Sequence, residues 1–292
     1  MDAPTYRPLT AADIPGAQRL RELAQWNQTG RDWENLLNFD ASGCFAAEMG
    51  GRLVGTATTT RFTPRSGPGS LGWIGMVLVD PESRRHGIGS TLLKKCIAHL
   101  QSAGVETIKL DATPMGRPVY EKLNFIAEYA LERWQGTART LPPPWLHGVK
   151  LAPIAASDLA ALAAYDTPVS GPNRSAVIDA FWKDAPEISV VARSEDAITG
   201  YALSRRGSKF HQIGPVVAES PAIAEALLIE LLRKLDGTPV IIDLLTANPW
   251  TAPIAQCCGL HSQRPFMRMA LGPNTSPGRP ESILAICCPE LG

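Results

Sequence analysis

The segment from Met76 to Thr91 reads MVLVDPESRRHGIGST, and it joins an apolar strand pattern to an amphipathic helix pattern. The turn between the two contains Gly87 and Gly89, and glycine lets a backbone approach a ligand closely. The free N–H groups of a helix's first turn suit a phosphate group, and Arg84 and Arg85 add charged donors. These residues indicate a phosphate-binding turn, and a glycine turn that merely caps a helix is the alternative.

The turn lacks the marks of two other phosphate-binding motifs. The Gly-Lys-Ser/Thr of a nucleoside triphosphate loop is absent. A dinucleotide fingerprint needs a third glycine, and Leu92 stands at that position. Both alternatives are therefore weak.

The pattern Arg84-x-x-Gly87-x-Gly89 resembles the coenzyme A loop of the GNAT superfamily of N-acetyltransferases. Residues 119–125, VYEKLNF, look like that superfamily's Leu-Tyr-Glu-Lys-Leu-Gly-Phe signature. The two motifs stand in the family's order, and the resemblance covers roughly residues 5–136. It implies an α/β fold with a mixed sheet, with acetyl-CoA as co-substrate.

The resemblance also assigns the cofactor contacts to the strand, the turn and the helix start: Val77, Leu78, Val79, Arg84, Arg85, His86, Gly87, Ile88, Gly89 and Ser90. The signature tyrosine, Tyr120, would lie near the thioester sulfur and act as general acid. Its alternative role is packing. Thr113 stands where family members often carry Asn, and it can still donate a hydrogen bond to the cofactor.

The general base is less clear from the sequence. Many relatives place a catalytic Glu on the strand before the loop, but residues 71–79 contain no carboxylate. We expect Asp111, on the same strand face as Thr113, or Glu48, on a predicted hairpin, to deprotonate the acceptor. A solvated or structurally paired carboxylate is the alternative for each.

The chain contains an internal repeat. Residues 7–14 resemble residues 152–159, and at the same offset residues 53–57 resemble residues 198–202. A proline-rich stretch separates the copies. The sequence therefore predicts three parts: a catalytic GNAT domain at 1–136, a linker at 137–147, and a degenerate GNAT-like domain with a C-terminal tail at 148–292. Each domain should be a mostly antiparallel mixed sheet flanked by helices.

The second copy has lost the site residues. Glu219 stands in the region of the phosphate turn, and Ala255 aligns with Tyr120. We expect this copy to shape the acceptor site by closing one side of it. The candidate acceptor-binding residues are Trp26 and Asn27 in the first copy, and Arg174, Tyr201 and Arg205 in the second.

Composition excludes several classes of function. The 292 residues include 28 basic and 28 acidic side chains, so a basic nucleic-acid-binding domain is not expected. No apolar run approaches the ~20 residues of a membrane span, and the first residues lack a secretory pattern, so we expect a cytoplasmic protein with no membrane partner. The cysteine and histidine spacings predict no metal site. A homodimer is left open.

The leading hypothesis is an N-acetyltransferase that moves an acetyl group from acetyl-CoA to a small-molecule or peptide amine by direct attack. The alternatives are a non-catalytic acyl-CoA sensor, motivated by the missing strand carboxylate, and an assembly module that uses the second domain as a surface.

Overall fold

The structure is a computed structural model that describes residues 3–62, 70–142 and 146–292. The predicted linker lies partly outside these residues, at 143–145. The elements of the first copy are β1 (Thr5–Pro8), α1 (Ile14–Leu23), α2 (Gly30–Asp40), β2 (Phe45–Met49), β3 (Arg52–Phe62), β4 (Leu71–Val79), α3 (Ile88–Ser102), β5 (Thr107–Ala112), α4 (Arg117–Glu121) and β6 (Ile126–Thr137).

The second copy repeats this order. Its elements are β7 (Val149–Pro153), α5 (Leu159–Ser170), α6 (Ser175–Asp184), β8 (Val190–Ser194), β9 (Ala197–Arg205), β10 (His211–Ala218), α7 (Pro221–Lys234), β11 (Pro239–Leu244), α8 (Thr251–Cys257), β12 (His261–Leu271) and β13 (Ile283–Ala285). The predicted α/β fold with a mixed sheet is confirmed.

The local signals in the sequence explain these elements. The Asp13 carboxylate accepts bonds from the backbone N–H and the hydroxyl of Thr10 and so closes the turn before α1. Gly50 and Gly51 have positive φ in the two-residue turn that joins β2 to β3. Gly104, with φ of 76°, follows the end of α3.

The strands form one sheet across both copies, in the order β1-β2-β3-β4-β5-β12-β6-β11-β13-β10-β9-β8-β7. The last long strands of the copies are exchanged. β12 pairs antiparallel with β5, and β6 pairs antiparallel with β11, while β6 and β12 also pair with each other. Each copy therefore completes the sheet of the other.

The strands beside α3 diverge and open the sheet. β4 and β5 are parallel, and their described pairing covers Leu71–Trp73 with Thr107–Lys109. Beyond Trp73, β4 continues to Val79 with its β5-facing edge unpaired in the described strands. α3 covers one face of this region, with Leu92, Leu93, Cys96 and Leu100 buried as its helical periodicity predicts.

The six cysteines are free; five of them are buried, and Cys257 is exposed. Among the described residues, no group of three or more His, Cys, Asp or Glu side chains could hold a metal ion. None of the described helices combines the length and the apolar character that crossing a membrane requires.

Candidate active site

A cleft of about 1080 Å³ lies where β4 and β5 diverge. Its first-copy walls come from the end of α1 and the segment after it, the end of β4, the turn before α3, the start of α3, single residues of β5 and β6, and the region around α4. The second copy supplies the remaining wall. This volume is at the large end of the range for small-molecule sites, which suits an extended ligand.

Hydrogen bonds of Asp80 fix the conformation of the turn before α3. Asp80 accepts bonds from the backbone N–H of Glu82, at 3.1 Å, and from Arg19, at 2.7 Å. Arg85 and Gly87 have positive φ, of 65° and 74°. No described side chain caps α3 at Gly87, so the first-turn N–H groups of this helix face the cleft without a side-chain partner.

Almost all predicted cofactor residues line this cleft. They are Val77, Leu78, Val79, Arg84, Arg85, Gly87, Ile88, Gly89, Ser90 and Thr113. His86 is the exception among them: its ring nitrogen Nδ1 lies 3.3 Å from the carbonyl oxygen of Ser83, and it is not among the described lining residues.

Tyr120 lines the same cleft. A Cβ at Gly116 would lie 2.9 Å from the Tyr120 ring, so the glycine at this position gives the ring its space. Burial raises the pKa of the Tyr120 phenol to about 12. The hydroxyl therefore stays protonated at neutral pH and can donate a hydrogen bond into the cleft.

The two candidate bases have different surroundings. Asp111 lines the cleft, but Arg268 donates to both of its carboxylate oxygens at 2.8 Å, which is the paired alternative that the sequence left open. Glu48 lies on β2 and accepts a bond from Arg7 at 3.1 Å. The structure does not bring Glu48 to the cleft, because β3 separates its strand from β4.

Trp26 and Asn27, two of the residues predicted to bind the acceptor, line the cleft. Asn27 also joins the two copies. Its Nδ2 donates to the carbonyl oxygen of Phe210 at 3.0 Å, and its Oδ1 accepts from the N–H groups of Lys209 and Phe210. A Cβ at Gly207 would clash with the Asn27 side chain, so the glycine permits this contact. Asn27 thereby holds the loop that follows β9 against the cleft.

The three acceptor-binding expectations in the second copy are corrected by the structure. Arg174 and Tyr201 are buried, and both bond the carboxylate of Asp166. Neither lines the cleft, because Asp166 draws them into the core under α5. Arg205 is also buried, and it donates to Asp32 at 3.0 Å and to Glu290 at 2.9 Å. Arg205 does not line the cleft either.

Sequence reasoning missed the second-copy residues that do line the cleft. They are Lys209, Phe210, Ile241, Gln263 and Arg264. Gln263 and Arg264 reach the first copy because β12 pairs with β5 and β6, and no local pattern signals that exchange.

Comparison with known proteins agrees with this geometry. Residues 16–125 match the model of the acetyltransferase (GNAT) family, and residues 162–285 match an acetyltransferase (GNAT) domain. The chain belongs to the GNAT superfamily and carries two GNAT domains.

Relatives of this tandem GNAT protein cover different shares of it. YitH of Bacillus subtilis, named as an uncharacterised N-acetyltransferase, is 29% identical over 60% of this chain and 61% of YitH, less than two thirds of that protein. Holothin acyltransferase of a Pseudoalteromonas species is 24% identical over 92% of this chain and 87% of its own length. A solved structure from Pyrococcus horikoshii shares the fold, with a TM-score of 0.80 and 22% identity over all of this chain and 97% of that one.

Proposed function

We propose that the first GNAT domain binds acetyl-CoA and transfers its acetyl group to an amine by direct attack, with the second domain completing the acceptor side. The observation that carries this proposal is the cleft, where the open N-terminus of α3, Tyr120 and residues of the second copy meet.

The residues present fit acetyl-CoA. The uncapped first turn of α3 offers N–H groups and the positive end of the helix dipole to a pyrophosphate. No described atom lies within 4 Å of where a Cβ at Gly87 would stand, so the backbone there is open to a ligand. The unpaired edge of β4 at residues 77–79 offers strand hydrogen bonds to the amide groups of a pantetheine arm.

Bound acetyl-CoA supplies an acetyl group activated as a thioester: an N–C bond forms, the C–S bond breaks, the amine loses a proton and the sulfur gains one. Tyr120 faces this step as a protonated phenol. Because its pKa is raised to about 12, it is a weaker acid than an ordinary thiol. Its main contribution is therefore a hydrogen bond to the charge that develops on the sulfur.

The test is thiol release from acetyl-CoA by the full-length protein across a panel of primary amines, with mass spectrometry of the products. We expect amine-dependent thiol release and a product that has gained one acetyl group. Tight binding of acetyl-CoA with no transfer to any amine would contradict the proposal and favour the acyl-CoA sensor.

A further inference from the structure

A smaller cavity of about 40 Å³ adjoins the cleft on its acceptor side. Trp26, Val77, Tyr120 and Arg264 line both spaces, so the cavity opens toward the place proposed for the thioester. The remaining wall includes polar groups that the transfer chemistry described above does not use. The charged groups among them differ in whether they have an ion-pair partner of their own.

At one side of the cavity, Arg264 lacks a counter-ion. It forms no ion pair with any residue that the structure describes, and its buried Nε has no hydrogen-bond partner there. The guanidinium lies 4.9 Å from the centroid of the Phe266 ring. Burial, together with the nearby Arg133, lowers the pKa of Arg264 to about 10. A half-buried cation without an ion-pair partner favours a ligand that brings an anion.

The neighbouring arginines show the contrast. Arg133 donates Nε and Nη2 to the two carboxylate oxygens of Asp243, each at 2.7 Å. Arg268 binds Asp111 in the same two-bond manner. Each of these cations has its own carboxylate, so Arg264 is the guanidinium of the cavity wall that is left for a ligand.

Beside Glu290 of the wall, two carboxylates share one cation. Asp32 and Glu290 share the one guanidinium of Arg205, at 3.0 and 2.9 Å. Burial raises the pKa of Asp32, and Glu290 adds to that rise, as expected of two carboxylates with one cation between them. Of the pair, Glu290 lines the cavity. Its Oε1 is held by Arg205, and its Oε2 accepts no hydrogen bond from the described residues.

Gln28 independently indicates that a hydrogen-bond donor is missing from this cavity. Its side-chain Oε1 is buried and unpartnered within the described chain, and Gln28 lines the same cavity. A buried acceptor without a donor costs free energy unless a ligand supplies one. An ammonium group can donate to a carboxylate and an amide oxygen at once.

We propose that this cavity selects an acceptor that carries an amine and a carboxylate together, with the ammonium facing Glu290 and Gln28 and the carboxylate facing Arg264. The inference rests on the proposed transferase function and names its substrate class: an amino acid, or a compound with a free amino acid group. Such a zwitterion matches the unpaired cation and the surplus carboxylate of the wall.

The same arrangement gives Glu290 a part in the reaction. An ammonium must lose a proton before its nitrogen can attack a carbonyl carbon. Glu290 Oε2 takes that proton, and the freed nitrogen lone pair forms the new N–C bond as the C–S bond breaks. The second proton lost by the nitrogen passes to the departing thiolate, which leaves as the thiol. Glu290 packs directly on β4: its Cα and Cβ lie 3.0 and 2.9 Å from where a Cβ at Gly75 would stand. The C-terminal tail thus supplies the carboxylate that β4 lacks.

The experiment compares matched acceptors with the full-length protein. Each of the twenty L-amino acids is assayed beside its amide and its decarboxylated amine, with thiol release from acetyl-CoA as readout. We expect the best amino acid to exceed its amide and amine by about ten-fold or more in kcat/KM, the size of one charge-assisted bond. Amides and amines that react as well as the acids would overturn the inference.

Variants of Arg264 separate recognition from folding. Arg264→Gln should lower kcat/KM for the amino acid at least about ten-fold more than for the matching amine, and Arg264→Lys should recover part of the loss. Arg233→Gln, at an exposed ion pair on α7, is the control. Equal losses for acids and amines would overturn the role of Arg264. No thiol release with any amine would overturn the transferase function itself, and this inference with it.

Glu290→Gln tests the second half of the site. We expect kcat to fall by about 10²-fold, as for loss of a general base, while acetyl-CoA affinity and the thermal unfolding midpoint stay close to wild type. Wild-type kcat in this variant would reject Glu290 as the proton acceptor.

Discussion

In the first copy, β4 and β5 pair over three residues and then separate, and the space between them becomes the cleft. In the second copy, β10 and β11 pair over three residues, His211–Ile213 with Val240–Ile242, and then separate in the same way. There the chain's own β13 enters the gap and pairs with both strands. The second opening is filled by backbone where the first is free.

The N-terminus of the helix that follows each opening also differs between the copies: it is free in the first and capped in the second. Eight residues connect β4 to α3, and no described side chain caps α3 at Gly87. Two residues, Glu219 and Ser220, connect β10 to α7. The Ser220 hydroxyl accepts a bond from the N–H of Ile223, and Pro221 removes another donor from the first turn. The second helix thus satisfies its own N-terminus, while the first leaves its donors for a ligand.

Under the proposed function, the contrast teaches that the GNAT scaffold alone does not make a coenzyme A site. What distinguishes the copies is whether the strand edge and the helix N-terminus are free. Residues Lys209, Phe210 and Arg264 of the second copy line the cleft of the first. The following variants test this division of labour, from the largest expected effect to the smallest.

Gly87→Asp should break the first site. We expect acetyl-CoA affinity to fall by more than about 10²-fold, because a carboxylate would face the pyrophosphate and Gly87 has φ of 74°. Isothermal titration calorimetry measures the loss. Gly51→Asp is the control, since Gly51 has φ of 73° and open space around it in the hairpin turn between β2 and β3. Equal affinities in the two variants would place the phosphate site elsewhere.

Tyr120→Phe should impair transfer and spare binding. We expect kcat to fall by roughly 10²-fold and the Kd for acetyl-CoA to change little. Since the pKa of Tyr120 is raised to about 12, its ionisation should cause no loss of wild-type kcat below about pH 10. Steady-state kinetics across pH check both points, with Tyr6→Phe on β1 as control. Unchanged turnover would indicate that Tyr120 only packs against its neighbours.

Asn27→Ala should weaken the contact between the copies. Three hydrogen bonds to residues 209–210 are lost, so we expect the KM for the acceptor to rise roughly three- to ten-fold and the free energy of unfolding to fall by about 1–3 kcal/mol. Asn274→Ala, which removes one exposed bond to Glu128, is the control. An unchanged acceptor KM would show that this contact with the second copy takes no part in acceptor binding.

Local chemistry made much of the fold predictable. The buried face of α3, the glycine turn before it and the hairpin at Gly50 and Gly51 all depend on residues close in sequence. The turn before α3 was predictable for the same reason, because strand, turn and helix are consecutive.

The acceptor side was not predictable in this way. β6 and β12 have the same strand pattern whichever copy they complete, so the sequence does not reveal their exchange. Glu290 reaches β4 from the C-terminal tail, more than two hundred residues away in the chain. Arg174 and Tyr201 illustrate the converse: their polar and aromatic character is typical of a binding surface, but buried Asp166 satisfies both.

The most direct measurement is the stoichiometry of acetyl-CoA binding to the intact chain by isothermal titration calorimetry. We expect one molecule per chain. In the second copy β13 fills the gap between the strands and Ser220 caps the helix, whereas the first copy leaves the strand edge and the helix N-terminus free. The Gly87→Asp variant should then show no remaining site of comparable affinity. Two sites per chain, or one site that survives Gly87→Asp, would contradict the account.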